Sequence, residues 1–527
     1  MNNRPKSTHW ADITAEKIIR EKGDKEVYTC ASGITPSGTV HVGNFREIIS
    51  VDLTVKALRE KGKNVRFIYS WDDYDVFRKV PKDMPKQEVM ATYLRKPIVL
   101  APDFLDGEES YAKANEKRLE KLLPKVGIFP EYIYQAEKYR KSEYADQMKI
   151  ALEHRDVIRR ELNGSRTSDL PDNWWPVSVF CSKCDKDTTT VLDWDGEYGV
   201  HYSCECGNDE TVDMRTTPWV KLPWRIDWPM RWAYEDVDFE PAGKDHHSDG
   251  GSFDTARLTG KEVYNHEAPV TFQYDFIAVK GRGGKMSSSA GGVISLAEVL
   301  EVYQPEVIRY LFAGTRPNSE FSISFDLDVL KIYEDYDKCE RTYFSKPETE
   351  KQMKKWAKDA RIYELSQVDK VPTEMPYQIP IRQLTLLLSI HDGDIDKVIE
   401  ALGDVKPHQV DRLRQRCECA SNWSRDFAPE DFKFNINDGT EELLEVNDQE
   451  RKILQLLSSS VEQYLGKVTE KEFGVKVYDI AREVEIETSE MFPLIYKAII
   501  GKEKGPRLVS FLSTIGREKL LKILSRY

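Results

Sequence analysis

Two short segments of the chain combine residue types that can handle a polyphosphate. The first, Thr35-Pro-Ser-Gly-Thr-Val-His-Val-Gly-Asn44, is called the histidine turn below. Its Gly38 and Gly43 allow the backbone to approach a phosphate closely, and the imidazole of His41 can donate a hydrogen bond to a phosphate oxygen as charge builds there. A helix that begins after such a turn favours an anion at its N-terminus. The alternative interpretation is a tight turn with a solvent-exposed histidine, but together with a second segment downstream the histidine turn predicts a site for a nucleoside triphosphate.

The second segment, the lysine–serine segment, lies far downstream and is rich in glycine. It reads Lys280-Gly-Arg-Gly-Gly-Lys-Met-Ser-Ser-Ser-Ala-Gly-Gly292. The ammonium of Lys285 can neutralise a departing pyrophosphate, and the serine hydroxyls add hydrogen-bond donors. Reactions at the phosphates of a nucleoside triphosphate need alignment and charge stabilisation more than covalent chemistry from the protein. A disordered basic linker is the alternative interpretation, which the methionine between the lysine and the three serines disfavours.

The residues around the histidine turn predict a strand, a helix and a second strand. Residues 26–33 and 64–71 form short apolar runs that are typical of buried strands. Between them, apolar residues recur with helical spacing, and Gly62 is a suitable residue to end that helix. The stripe consists of Phe45, Ile48, Ile49, Leu53, Ala57 and Leu58. Such a unit has parallel strands, and its ligand lies beyond their carboxyl ends. Residues 271–279 predict one more strand before the lysine–serine segment.

Composition restricts the class of protein. The chain has 527 residues, 40% of them apolar, and a net charge of −13, which suits three or four domains of ~150 residues each. It has no apolar run of about 18 residues, as a membrane span needs, and its first residues lack the apolar core of a signal peptide. We therefore expect a cytoplasmic protein without a membrane partner. The negative charge argues against indiscriminate nucleic-acid binding but permits a local basic track. Candidate tracks are Lys502, Lys504 and Arg507, or Arg412, Arg414 and Arg416.

Four cysteines have the spacing of a metal site. They form two pairs, Cys181 with Cys184 and Cys204 with Cys206, and two such pairs suit a tetrahedral structural Zn²⁺. In a chain without export signals, a metal site is favoured over disulfides. The second pair has only one intervening residue, so His201 could replace one cysteine as a ligand. A closed four-ligand site would hold a small ribbon together and take no part in catalysis.

Further blocks along the chain resemble one known family. Together with the two segments above, they are similar to blocks of the class I lysyl-tRNA synthetases. The blocks are His9-Trp-Ala-Asp12, Trp71-Asp-Asp-Tyr-Asp75, Arg78-Lys-Val-Pro81, Pro223-Trp-Arg-Ile-Asp-Trp-Pro229, Gly243-Lys-Asp-His-His247, Gly250-Gly-Ser252 and Gly501-Lys-Glu-Lys-Gly-Pro-Arg-Leu508. The resemblance implies two reactions. Lysine and ATP form lysyl-adenylate, and the lysyl group then passes to the 3′-terminal adenosine of tRNA(Lys).

The resemblance also implies an α/β fold with a Rossmann-type parallel-sheet catalytic domain, a zinc-ribbon-containing insertion and an all-helical C-terminal domain. Four segments are expected. Residues 1–100 form the first half of the Rossmann domain, 101–215 a connective insertion with the zinc ribbon, 216–345 the second half with a stem-contact region and the lysine–serine segment, and 346–527 a helical anticodon-binding domain. Helices are predicted within these segments at 110–123, 142–162, 351–365 and 449–465.

Individual residues receive roles from the resemblance. It implies catalytic roles for His41, Asn44 and Lys285, with ATP bound together with Mg²⁺. The implied ATP site comprises Pro36, Gly38, His41, Gly43, Asn44, Lys285, Met286, Ser287, Ser288 and Ser289. The implied lysine pocket comprises Gly33, Thr35, Asp72, Trp224, His246 and Tyr274. The ammonium of lysine needs a carboxylate or an aromatic face, and candidate carboxylates are Asp72, Asp73 and Asp75.

The chain departs from the family pattern at two places. Asn44 stands where many class I enzymes have histidine, but asparagine can still donate a hydrogen bond. Residues 102–111 offer carboxylates where relatives often have cysteine and histidine, so no second zinc is expected.

Other functions stay open at this point. A class I synthetase for another amino acid, such as glutamate, would share both segments but would need a basic pocket. A non-synthetase nucleotidyltransferase shares the histidine turn, although the lysine–serine segment and the long helical tail argue against it. A non-catalytic RNA-binding paralogue would be expected to lose His41 or Lys285, and the chain has both.

Overall fold

The structure is a computed structural model that describes residues 7–82, 84–248, 250–280, 294–345, 347–437 and 442–527. The chain forms two compact units. The first comprises Met1–Val299, Pro305–Ile323 and Thr342–Val371, and the second comprises Leu300–Gln304, Ser324–Arg341 and Pro372–Tyr527. None of the helices in the described ranges has the length and apolar composition that a membrane crossing requires.

The elements are numbered in chain order. The strands are β1 Tyr28–Ile34, β2 Val65–Trp71, β3 Glu131–Tyr134, β4 Ser178–Val179, β5 Thr189–Trp194, β6 Gly199–Cys204, β7 Asp209–Asp213, β8 Val220–Lys221, β9 Val237–Phe239, β10 Ala242–Gly243, β11 Gln273–Tyr274, β12 Ile277–Val279 and β13 Phe321–Ile323. The helices are α1 Trp10–Lys22, α2 Val42–Glu60, α3 Gln87–Ala91, α4 Tyr111–Glu120, α5 Gln135–Arg140, α6 Ala145–Glu153, α7 Arg155–Asn163, α8 Trp224–Tyr234, α9 Ser252–Tyr264, α10 Leu296–Val302, α11 Pro305–Gly314, α12 Asp328–Phe344, α13 Glu350–Ser366, α14 Ile381–Ile390, α15 Ile395–Leu402, α16 Val410–Asp426, α17 Asp448–Tyr464, α18 Glu470–Glu483, α19 Thr488–Ile500, α20 Leu508–Ile515 and α21 Arg517–Leu524.

A four-stranded parallel sheet organises the first unit. Its strand order is β3-β2-β1-β9, and every neighbouring pair is parallel. β1 and β2 pair in register from Tyr28 opposite Val65 to Ile34 opposite Trp71, so the two strands end together. Loops that follow both strands therefore meet at one edge of the sheet, where α/β folds bind ligands. The predicted strand–helix–strand unit and the predicted α/β fold class are confirmed.

Helix α2 connects the two central strands and is almost enclosed by protein. All six apolar residues of the predicted stripe are buried, and so are Val51 and Val55 on the opposite side of the helix. Helices α1 and α11 both pack against α2. The helix ends at Glu60, and Gly62 takes a φ of +76°, as predicted for the residue after a helix C-terminus.

Three sequence-based assignments differ from the structure. Residues 271–279 form two short strands rather than one, because β11 pairs with β10 and β12 pairs with β13. Between the two strands, the N–H of Asp275 donates to the carbonyl of Pro317 at 2.9 Å. Residues 142–162 form two helices, α6 and α7, that meet at His154. Strand β3 lies within the stretch 101–215 but pairs with β2 in the central sheet. The four domain boundaries themselves stay a prediction.

The second unit is helical throughout its described part. Helices α17 to α21 surround an apolar core that contains Leu454, Phe473, Ile495, Phe511 and Leu520, one residue from each helix. The helices predicted at 351–365 and 449–465 are confirmed as α13 in the first unit and α17 in the second.

Candidate active site

A cavity of about 280 Å³ lies in the first unit beside the carboxyl end of β1. Its walls come from β1, from the beginning of α2, from the loop after β10 and from residues 274–277. It brings together six residues that the sequence proposed for ATP or lysine, namely Gly33, His41, Gly43, Asn44, His246 and Tyr274. Residues that are distant in the sequence therefore share one concave site at the ligand-binding edge of the sheet.

His41 is the N-cap of α2. Its Nδ1 atom accepts a hydrogen bond from the N–H of Asn44 at 3.3 Å, and the Oδ1 atom of Asn44 accepts one from the N–H of His41 at 3.4 Å. This reciprocal capping box fixes both side chains at the positive end of the helix dipole. The amide oxygen of Asn44 is used in the cap, and its NH₂ group remains as the hydrogen-bond donor of this side chain.

Gly33 is required where β1 passes closest to β2. A Cβ atom at this position would lie 2.8 Å from the carbonyl oxygen of Ser70, which is too close for any side chain. The N–H of Gly33 instead points to a carboxylate, the Oε1 atom of Glu47, at 3.3 Å. Glycine here therefore permits both the strand pairing and a contact inside the cavity.

Glu47 is a site residue that the sequence analysis did not identify. It lines the cavity, and its Oε1 atom accepts a hydrogen bond from the hydroxyl of Ser32 at 2.7 Å. Its Oε2 atom accepts one from the hydroxyl of Tyr274. Burial raises the pKa of Glu47 above its ordinary value, although the hydrogen bonds from Tyr274, Ser32 and Gly33 oppose that effect. The spacing could have indicated it, because His41, Asn44 and Glu47 are three residues apart and share one helix face.

Aromatic rings pack against His246. Trp224 and Trp228 stack with their centroids 5.4 Å apart, and the imidazole of His246 lies 5.5 Å from Trp224. The hydroxyl of Ser252 lies 2.7 Å from the Nδ1 atom of His246. The loop that carries His246 folds back tightly at Gly251, where a Cβ atom would lie 2.6 Å from the carbonyl oxygen of His246. This contact explains Gly251, and Gly250 has a φ of +69°, a conformation that favours glycine.

A second, larger cavity of about 1000 Å³ shares His246 with the first. Thr35 and Trp224, both proposed for the lysine pocket, line this second cavity. The hydroxyl of Thr35 donates to the Oδ2 atom of Asp75 at 2.9 Å. The neighbouring cavities thus hold all of the residues proposed for lysine except Asp72.

Asp72 is directed into an ion pair. Its Oδ1 atom lies 2.6 Å from Arg231 Nη1, and the same nitrogen donates to the hydroxyl of Ser70 at 2.8 Å. Asp73 is buried and accepts a hydrogen bond from the N–H of Ala136 at 2.7 Å. Burial together with the nearby Glu116 raises the pKa of Asp73 to about 8. Both carboxylates are therefore committed to the framework behind the strand ends.

The remaining residues proposed for ATP lie in two places. Pro36 and Gly38 are buried in the turn before His41, and the carbonyl of Pro36 accepts a hydrogen bond from Asn115 Nδ2 at 3.2 Å. Those of the lysine–serine segment, Lys285, Met286, Ser287, Ser288 and Ser289, lie outside the described residues. The described chain resumes beside the histidine turn, since the N–H of Val42 donates to the carbonyl of Ile294 at 2.9 Å and His41 forms an antiparallel bridge with Ser295.

The four predicted cysteines form a cluster in the ribbon of β5, β6 and β7. Their sulfur atoms all lie within 4.8 Å of one another, with Cys181 and Cys206 3.6 Å apart and Cys184 and Cys204 3.7 Å apart. Tetrahedral Zn²⁺ with Zn–S bonds of about 2.3 Å places its sulfurs about 3.8 Å apart. The arrangement therefore fits one metal ion of that size. His201 instead lies with its Nε2 atom 2.9 Å from Asp209 Oδ1.

The surroundings of Cys181 favour its thiolate form. Burial acts to raise the pKa of this thiol, but the N–H groups of Lys183 and Cys184, with the neighbouring thiols, outweigh burial and lower the pKa to about 7. The side chain of Asn208 also donates to the Cys181 sulfur at 3.5 Å. Hydrogen bonds of this kind stabilise the charged form that a metal needs.

One of the two candidate basic tracks loses a member in the structure. Arg416 is buried and pairs with both carboxylate oxygens of Asp337, at 2.8 and 2.6 Å. Arg412 pairs with Glu340 at 2.8 Å, and Arg414 pairs with Asp396. The prediction is wrong for Arg416, because its buried guanidinium group neutralises Asp337, and for Arg412 and Arg414 it stays a prediction.

Comparison with known proteins agrees with the geometry. A family model described as tRNA synthetases class I (K) matches residues 8–369. The lysine–tRNA ligase of Borreliella burgdorferi is 54% identical over 522 residues, covering 99% of this chain and 100% of that protein. Those of Treponema pallidum and Pyrococcus horikoshii are 52% identical over 526 residues and 40% identical over 531 residues, and each alignment covers at least 98% of both chains. The resemblance seen in the sequence is therefore confirmed, and the chain belongs to the class I (K) family of tRNA synthetases.

Proposed function

We propose that this chain is a lysine–tRNA ligase that activates lysine with ATP and transfers it to the terminal adenosine of tRNA(Lys). The relatives that match it from end to end carry that name. The observation that carries the proposal is the carboxylate of Glu47, which lines the same cavity as His41 and Asn44. One small site thus offers a cation-binding group a few residues from a polyphosphate-binding turn.

ATP occupies the part of the cavity formed by the beginning of α2. His41, Gly43 and Asn44 lie there, and the helix dipole favours the negative phosphates. Two described residues that flank the lysine–serine segment support a role for Lys285, since Ile277 lines the cavity and Ser295 pairs with His41. Bound Mg²⁺ neutralises charge on the phosphates. His41 and Lys285 stabilise the charge that develops as the carboxylate of lysine attacks the α-phosphate.

The ε-ammonium group of the lysine side chain binds Glu47. Three hydrogen bonds, from Ser32, Gly33 and Tyr274, hold this carboxylate in place. Asp72 is the weaker candidate, because Arg231 already neutralises it. The indole of Trp224 and the imidazole of His246 flank the rest of the substrate. A glutamate substrate would bring a second carboxylate against Glu47, so the pocket argues against glutamate activation.

The 3′ end of tRNA enters the second cavity. Transfer requires a ribose hydroxyl to reach the carbonyl of the bound lysyl group, so its nucleoside must lie next to the lysine pocket. The second cavity meets this condition through His246, and its volume of about 1000 Å³ exceeds that of one nucleoside. Trp174 and Trp175 on its wall offer surfaces on which an unpaired base can stack, and Arg78 and Lys79 supply positive charge.

The direct test of the proposed function is charging of total tRNA with radiolabelled lysine, with glutamate in a parallel reaction. We expect lysine to be incorporated in an ATP-dependent manner and glutamate to stay at background. Incorporation of glutamate without lysine would overturn the proposal. Release of a nucleotidyl product without any charged tRNA would instead support the alternative function, that of a non-synthetase nucleotidyltransferase. Anticodon binding by the helical residues and a cytoplasmic location stay predictions.

Lysine binding is expected to weaken as the pH falls. Only the charged form of Glu47 attracts the ammonium group, and burial raises the pKa of this carboxyl. Lysine affinity is therefore present above the pKa of Glu47 and is lost below it. The loss occurs at a higher pH than it would if the carboxylate were that of an exposed glutamate. The lysine KM, measured between about pH 5 and 8, should rise on the acid side. The Glu47→Gln variant is the control, and its lysine KM should be high throughout. Parallel pH profiles for the two proteins would contradict the role of Glu47.

We further propose that the cysteine cluster holds a structural Zn²⁺. Elemental analysis is expected to find close to one zinc atom per chain, and Cys181→Ser and Cys206→Ser should lose it. His201→Ala is the matched control, because its imidazole pairs with Asp209 and its loss should leave the zinc content unchanged. Chelation should expose the ribbon to proteolysis before lysine activation falls. Zinc retained by both cysteine variants would refute the site.

A further inference from the structure

Lys221, Asp75 and Thr35 form a chain of side-chain contacts that reaches the second cavity. The Nζ atom of Lys221 lies 2.8 Å from Asp75 Oδ1, and the hydroxyl of Thr35 donates to Asp75 Oδ2 at 2.9 Å. All three residues line the cavity. Lys221 is nearly buried and also donates to the carbonyl of Tyr74 at 3.2 Å. Each oxygen of Asp75 thus has its own partner.

The three residues come from separate parts of the first unit. Thr35 follows β1, Asp75 follows β2, and Lys221 is the last residue of β8. β8 pairs with β4 as the two-stranded neck through which the cysteine ribbon joins the unit, with Ser178 opposite Lys221. The neck therefore places the ammonium group of Lys221 next to Asp75, which in turn contacts Thr35 of the proposed lysine site.

The contact to Asp75 fixes the direction of the Thr35 hydroxyl. A carboxylate can only accept hydrogen bonds, and a hydroxyl has a single proton to donate. Once that proton is directed at Asp75, only the lone pairs of the Thr35 oxygen remain for a ligand. The ion pair with Lys221 keeps Asp75 charged. Burial would raise the pKa of Asp75, but Lys221 and the hydrogen bond from Thr35 lower it below its ordinary value.

We propose that Asp75, held by Lys221, is a positioning residue that presents the Thr35 hydroxyl as a hydrogen-bond acceptor to the α-ammonium group of lysine. The inference rests on the proposed function and extends it to the opposite end of the substrate from Glu47. An ammonium group has three donors and no acceptor, so it matches an oxygen whose proton is already committed. Asp75 and Lys221 act through Thr35.

The Asp75→Asn variant tests whether the Thr35 hydroxyl acts as a hydrogen-bond acceptor for lysine. An asparagine amide can donate to the Thr35 oxygen, which frees the hydroxyl proton to point at the ligand and to repel an ammonium group. We expect the lysine KM in the charging reaction to rise by about tenfold to a hundredfold, as for loss of a hydrogen bond to a charged group. The KM for ATP should stay within about twofold. The probe is 6-aminohexanoic acid, which lacks the α-amino group, and its inhibition constant against lysine should not change.

Variants of Lys221 and Thr35 separate positioning from a general loss of structure. Lys221→Arg keeps the positive charge, so its lysine KM should stay close to the wild-type value. Lys221→Met removes that charge, and its lysine KM should rise as in Asp75→Asn. In a Thr35→Val background, Asp75→Asn should cause little additional loss, because the residue through which it acts is absent. Equal weakening of lysine and 6-aminohexanoic acid in Asp75→Asn would overturn the inference. If the wild-type protein fails to charge tRNA with lysine, the proposed function fails instead.

Discussion

Replacing His41 with alanine is expected to slow formation of lysyl-adenylate by about 10²–10³-fold, the usual cost of removing one donor that stabilises transition-state charge. His41 lines the small cavity and is fixed as the N-cap of α2 by its contact with Asn44. Its Nδ1 atom is used as an acceptor in the cap, so the ring presents Nε2 as its donor. Single-turnover activation, followed by the ATP–pyrophosphate exchange reaction, measures the effect.

The control for this experiment is His41→Asn. An asparagine oxygen can accept the hydrogen bond from the N–H of Asn44, so the cap is kept while the imidazole donor is lost. Both variants should lose activation to a similar degree. Only His41→Ala should also lose stability, by about 1 kcal/mol in a denaturation experiment. If His41→Asn activates lysine at the wild-type rate, the role of His41 is confined to the cap.

Replacing Glu47 with glutamine is expected to raise the lysine KM by about 10²–10³-fold, because an ammonium group would be desolvated without a carboxylate to receive it. The substitution keeps the shape of the side chain. Its amide oxygen can still accept from Ser32 and Gly33, and its NH₂ can donate to the Tyr274 oxygen. The fold should therefore be preserved. Steady-state charging at saturating ATP and tRNA measures the effect.

Selectivity gives the sharper readout for Glu47. Norleucine has the stem of lysine without the ammonium group, so the preference for lysine over norleucine in ATP–pyrophosphate exchange should collapse in Glu47→Gln. Asp72→Asn is the matched control. It removes one of the two carboxylate partners of the buried Arg231, the other being Asp227, and should lower the thermal midpoint while leaving that preference intact. A collapse in Asp72→Asn, with Glu47→Gln unaffected, would return the ammonium site to Asp72.

The parts of the fold that depend on local pattern could be predicted from the sequence. The strand–helix–strand unit follows from the periods of its apolar residues and from Gly62, and the cysteine cluster follows from spacing. The single strand predicted at 271–279 was wrong because its two halves pair with different partners, β11 with β10 and β12 with β13. Strand partners that are distant in sequence leave no local signal in the stretch itself.

Residues of the site could be predicted only where the residue type or a family motif indicates a chemical role. His41 was identified because an imidazole in a glycine-rich turn can donate to a phosphate, and Asn44 was identified through the resemblance to the family. Glu47 was missed because a glutamate on a helix is ordinary, and only the close approach of Ser32, Gly33 and Tyr274 makes it exceptional. The partner of Asp75 could not be inferred either, since Lys221 reaches it from 146 residues away.

The brevity of the neck bears on how such a chain can change over generations. β4 and β8 pair over two residues each, so the peptide leaves and re-enters the sheet-bearing unit at adjacent points. The segment between them is nevertheless integrated into the unit, because Val200, Tyr202 and Met214 belong to the same apolar core as Tyr74 and Met148. Asp187 and Thr189 of the segment also line the second cavity. Recombination that deleted the segment would therefore remove part of a core and part of the cavity wall. Descendants of such a chain are expected to inherit the metal module and substrate selection together.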